Sequence, residues 1–79
     1  MGSYLTRLIL FLIRLKLGVK KSEYFQFANQ RSEYDKYYFT KWALVKLEYN
    51  ERGHIYHTRF ANVSLMFLLS DECEIKKAD

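Results

Sequence analysis

Seventy-nine residues make one domain at most, and a formal charge of +4 with 49% hydrophobic residues and no proline describes a folded, basic chain. At this size folding buries roughly 60% of the unfolded chain's surface, so the interior is modest. The longest uninterrupted apolar run is the six residues Leu8–Ile13, which excludes a helical membrane span of about 20 residues.

The chain opens on Met1-Gly2-Ser3-Tyr4-Leu5-Thr6, which formally fits an N-myristoylation pattern and equally fits a cloning remnant. Ser3 is placed to cap a helix over about residues 3–12, extending at most to Leu17, with Gly18 as its left-handed terminator. On a helical projection only a narrow polar stripe remains, Ser3, Arg7, Arg14 and Gly18, with Thr6 and Lys16 outside it. A helix so apolar must lie against a sheet, a partner or a lipid surface. A strand competes over residues 13–20, where Ile13, Leu15, Leu17 and Val19 alternate with Arg14, Lys16, Gly18 and Lys20. Residues 1–21 hold five basic side chains, Arg7, Arg14, Lys16, Lys20 and Lys21, and no acid. The remainder nets −1: five against five over 22–53, then three basic against four acidic over 54–79. The positive end favours phosphate, an anionic membrane or an acidic protein, or forms a solvated rim.

Residues 24–27 (Tyr-Phe-Gln-Phe) read as a short strand and 29–35 as a polar connection. A hairpin is predicted around Asn50-Glu51-Arg52-Gly53, where glycine takes positive φ readily, between Tyr37–Tyr49 and His54–Leu69. With a four-residue loop, Leu47 pairs with Tyr56, Val45 with Thr58 and Ala43 with Phe60. Farther out the apolar face changes sides, with Trp42 opposite Ala61, Thr40 opposite Val63 and Tyr38 opposite Leu65. Such a switch calls for a bulge, a barrel-like coil or a sheet covered on both faces. A helical reading of Ser32–Tyr49 competes, since Ser32 and Asp35 approximate a capping box and residues 42–48 are good helix formers. Ser70-Asp71-Glu72 reads as a turn, and Cys73–Lys77 as a returning edge strand whose lysines discourage aggregation.

Catalytic chemistry finds little support. His54 and His57 are three apart, which on a strand sends them to opposite faces, so no metal set assembles around them and the lone Cys73. Asp71, Glu72 and Glu74 flank that thiol and disfavour its ionised form. Glu33 and Asp35 carry no sign of a shared pocket, and no glycine-rich phosphate loop is present. A single cysteine excludes an internal disulfide and fits a cytoplasmic setting, so the Asn62-Val63-Ser64 sequon reads as chance.

Seven tyrosines, six phenylalanines and one tryptophan compete with 11 leucines and four isoleucines for this small interior. Each ring buries about 150–250 Å², so some belong at a surface. The sequence therefore predicts a single α+β domain over 1–79, with an N-terminal helix packed on a strongly coiled antiparallel sheet of three to five strands, either open or barrel-like. Its expected role is a small non-catalytic protein-binding or regulatory module that pairs with a second copy, without cofactor, metal or small-molecule substrate. Its expected interface is Tyr38, Phe39, Trp42 and Phe67, with the basic N-terminal element as a further contributor. Short accessory proteins of phages and mobile elements share this profile. The alternative is a single-stranded nucleic-acid binder in which Lys36, Lys41 and Arg59 accompany the same rings. A membrane-surface role is the third option.

Overall fold

The computed structural model describes residues 3–31 and 33–78. Gly2, Ser32 and the side chains of Ser3 and Tyr56 lie outside it, and with them the acylation pattern, the Ser3 cap and the Ser32–Asp35 capping box.

Helix α1 runs from Ser3 to Leu17. Its last turn closes on Gly18, whose φ is +71°, while the Val19 amide donates to the Arg14 carbonyl (3.0 Å) and the Gly18 amide to that of Leu15 (3.3 Å). This paired pattern satisfies carbonyls that helical bonding leaves over. The competing strand over 13–20 is therefore not formed; Ile13, Leu17 and Val19 turn inward, whereas Leu15 does not.

Five strands follow: β1 Phe25–Phe27, β2 Lys36–Phe39, β3 Leu44–Tyr49, β4 Ile55–Phe60 and β5 Ile75–Lys77, with a one-turn helix α2, Leu65–Leu69, before the last. Their order is β4-β3-β2-β1-β5 and every pairing is antiparallel. The sheet is open, with β4 and β5 at its edges, which decides between the open and barrel-like forms and leaves the expected α+β arrangement in place. Residues 42–48, good helix formers, are strand and turn instead. Pairing with β2 and β4 on both sides overrides a weak helical preference.

The expected long strand 37–49 is broken by a reversal at Thr40. Its amide donates to the Ala43 carbonyl (2.8 Å), and its hydroxyl oxygen accepts from the amides of Trp42 (3.2 Å) and Ala43 (3.0 Å). A side chain that bonds nearby amides competes with a ladder and turns the chain. This reversal, rather than a coil of the sheet, explains the switch of apolar face. The second long strand ends where the Ala61 amide reaches the Leu44 carbonyl (2.8 Å); Ser64 then caps α2 by accepting from the Met66 amide (3.2 Å).

The β3–β4 hairpin closes differently from the four-residue loop expected. The Asn50 amide bonds the His54 carbonyl (2.9 Å) and the Gly53 amide the Asn50 carbonyl (3.0 Å), with Gly53 at φ +83°. That is a turn followed by a left-handed glycine. A bulge beside Tyr49 adds one more residue, so Leu47 pairs with Thr58 and Val45 with Phe60. Beyond the bulge the register moves by two, which leaves Val45, Leu47, Thr58 and Phe60 together on one face, as expected.

One sheet face is the core. Phe25, Phe27, Tyr37, Phe39 and Leu44 pack with Leu10, Ile13 and Val19 of the α1 region and with Leu68 and Cys73. Phe25 stacks on Phe39 (centroids 5.5 Å, interplanar 17°) and meets Phe27 edge to face. Val45 and Leu47, also buried, belong to the opposite face. There their register neighbours are Tyr38 and Phe60, and Lys36 and Thr58 respectively.

Candidate functional site

The four residues expected at an interface do not share a surface. Phe39 is 0% exposed and stacked in the core, so its ring is not offered to a partner. Phe67, on α2, is half-buried with its ring 6.0 Å from that of Phe27. Tyr38 is half-buried on the opposite sheet face, edge-on to Tyr24 at 5.6 Å. Trp42 alone stands out, 52% exposed on the β2–β3 turn.

The three cations of the nucleic-acid alternative are equally dispersed. Lys36 lies against the rings of Tyr49 (5.3 Å) and Tyr24 (6.0 Å). Arg59 bonds Glu48 through Nε at 3.1 Å. Lys41 lies beside α1. Rings and lysines adjacent in sequence are thus separated by strand alternation and by the turn.

The structure exposes a different surface. Tyr4, Leu5, Leu8, Phe11, Leu12 and Leu15 all face outward from α1. Leu5, Leu8, Leu12 and Leu15 are between 50 and 63% exposed, with successive spacings of three, four and three residues. That is the a/d spacing of a helix–helix seam. Sequence reasoning missed it because α1 is apolar almost all round, which hides which apolar side is buried. The spacing itself was readable. Beside it, α2 exposes Leu65, Met66 and Leu69. The Lys16 ammonium donates to the carbonyls of Leu68 (3.2 Å) and Ser70 (2.8 Å), joining the two helices and taking the one cation on the seam's flank out of play.

A quarter-turn around α1 from that seam lies a groove of about 400 Å³, lined by Tyr4, Arg7, Leu8, Phe11, Arg14, Lys21 and Lys41. Four cations and no acid line it, and none of the four has an ion-pair partner among the described residues. The Arg7 guanidinium sits 5.2 Å from the centre of the Trp42 ring, and that of Arg14 5.7 Å from Phe11.

The remaining polar cluster is balanced. Lys46 lies between Asp35 (3.5 Å) and Glu48 (3.9 Å), and Asp35 also accepts from the Tyr49 amide at 3.3 Å. Two acids and two bases neutralise one another beside a 230 Å³ cavity, a structural arrangement rather than a nucleophile and base aimed at a substrate. Burial pushes the Cys73 thiol up, a larger effect than the charge of Lys16 pulling it down, which keeps it a poor nucleophile. Among the described residues no three metal-ligating side chains converge, and no helix is long and apolar enough to cross a membrane.

Comparison with known proteins leaves the surface to speak for itself: no protein-family model, curated protein or solved structure matches this chain.

Proposed function

We propose that the chain is a small non-catalytic binding module that associates with a second copy of itself through the outer face of α1. The observation that carries this reading is the outward row Leu5, Leu8, Leu12 and Leu15. These positions are symmetric about Leu10, so two such helices crossing antiparallel set Leu5 against Leu15 and Leu8 against Leu12 of the second copy. The groove cations point away from that seam, and Lys16 is held by α2, so like charges do not oppose the pairing.

Burying the exposed half of one leucine contributes about 1 kcal/mol, or about 8 kcal/mol over both copies. Association itself costs about 4–15 kcal/mol, so the four leucines alone are marginal. The exposed α2 residues Leu65, Met66 and Leu69, beside the seam, supply the surplus. Sedimentation equilibrium tests the reading. A concentration-dependent dimer that Leu12→Glu converts to monomer supports it; a monomer at every soluble concentration rejects it.

A further inference from the structure

We infer that the basic groove between α1 and the β2–β3 turn binds single-stranded nucleic acid, with its cations on the phosphates and its exposed rings against the bases. The charge is one-sided. Arg7, Arg14, Lys21 and Lys41 come from the helix, the segment after it and the turn, and fold into one concave strip without a compensating acid. They belong to parts of the chain that sequence distance keeps apart, and Arg7 meets Trp42 across that gap. The Arg14 Nε–H, buried in the groove wall, has no acceptor among the described residues. Tyr4 is 83% exposed and Phe11 close to half, so both present ring surface at the same strip.

Stacking on such rings is worth about 1–3 kcal/mol per base and tolerates any sequence, while the cations track the backbone. The shape separates this occupant from a lipid surface. A bilayer is flat and meets a convex apolar face, whereas these cations line a recess. The site differs from the one expected from sequence, since only Lys41 of Lys36, Lys41 and Arg59 belongs to it. Of the four seam leucines only Leu8 borders it, and Leu12 does not line it, so substitution at Leu12 separates this site from self-association.

Fluorescence anisotropy of a labelled oligothymidylate, titrated with protein at several salt concentrations, tests the inference. Four phosphate contacts predict a log–log salt slope of about −3, from about 0.7 per contact on a single strand. Lys21→Gln with Lys41→Gln weakens binding about tenfold and flattens the slope by about 1.4. Tyr4→Ala lowers affinity and leaves the slope unchanged. Lys36→Gln with Lys76→Gln, outside the groove, changes neither. Leu12→Glu, monomeric or not, still binds, so the groove and the seam fail separately. Absence of binding at low salt overturns the inference. So does affinity insensitive to the Lys21 and Lys41 changes in protein whose circular dichroism is native, or binding confined to phosphatidylserine vesicles.

Discussion

The Arg7 guanidinium lies 5.2 Å from the centre of the Trp42 indole and joins the middle of α1 to the tip of the β2–β3 turn. A cation over a half-exposed ring is worth about 0.5–1 kcal/mol. Arg7→Gln therefore leaves the fold intact, lowering stability by no more than about 1 kcal/mol in urea unfolding. Because Trp42 is the only tryptophan, the same variant shifts the intrinsic emission spectrum. An unchanged spectrum would place the two side chains apart in solution.

Leu8 and Leu12 discriminate between orientations of the proposed helix pair. Leu8→Lys or Leu12→Glu alone buries a charge in the seam and yields monomer. Combined, they oppose lysine to glutamate twice across an antiparallel pair and restore the dimer. A parallel pair would set lysine against lysine and stay dissociated. Light scattering on the three variants reads the result directly.

Gly18 is needed for its backbone and not for space. Its φ is +71°, and a Cβ built there meets nothing within 4 Å. Gly18→Ala consequently costs the left-handed penalty alone, about 1–2 kcal/mol, which lowers the melting temperature by about 4–8 °C per kcal/mol in a domain of this size. Gly18→Asn, better tolerated in that conformation, falls between the two in a thermal melt.

Phe39 is a core residue, and its substitution reads on folding. Phe39→Ala removes a ring stacked on Phe25 with no exposed surface and costs about 3–5 kcal/mol. Against a total of about 5–15 kcal/mol, the variant melts far below the wild type or does not fold. Retained stability, measured by circular dichroism, would contradict this packing.

Glu23 gives a directed pH dependence. The Lys20 amide bonds its carboxylate (2.9 Å) and the Lys77 ammonium adds a second bond (2.8 Å), which together hold its pKa below the ordinary 4.5. A lowered folded pKa stabilises above the ordinary value, and that contribution disappears as the pH falls through the lowered one. Wild type therefore melts above Glu23→Gln near neutrality, and the gap closes in acid. The pair lies at the surface, where solvent screens it, so the gap is small.

Much of the fold was legible. Gly18 after α1 and Gly53 in the β3–β4 turn both take the positive φ expected of them, whereas Ser22, left-handed as well, carried no such signal. The lysine-tipped edge strand forms over Ile75–Lys77, the last three residues of the expected Cys73–Lys77, and the Ser70–Glu72 turn was legible from its run of polar residues. Thr40 was not, because the reversal there uses a hydroxyl bonding two amides, without glycine, proline or asparagine. The apolar run Leu65–Leu69 fits a strand or one helical turn equally, and only the Ser64 cap with Lys16 at the far end decides for helix. The binding surfaces were least legible. Trp42 was placed correctly outside, yet its partner Arg7 lies 35 positions away (42 − 7), and Phe39 looked like its neighbours until the strand turned it inward.

Sheet order also dictates the sequence of assembly. Strands β2, β3 and β4 join through neighbouring turns and can zip together early, whereas β5 must find β1 across an intervening loop of nearly fifty residues. Closing so long a loop is slow, and its contacts are made last. Amide hydrogens shared between β1 and β5 should then exchange sooner than those between β3 and β4, making that seam the first to breathe.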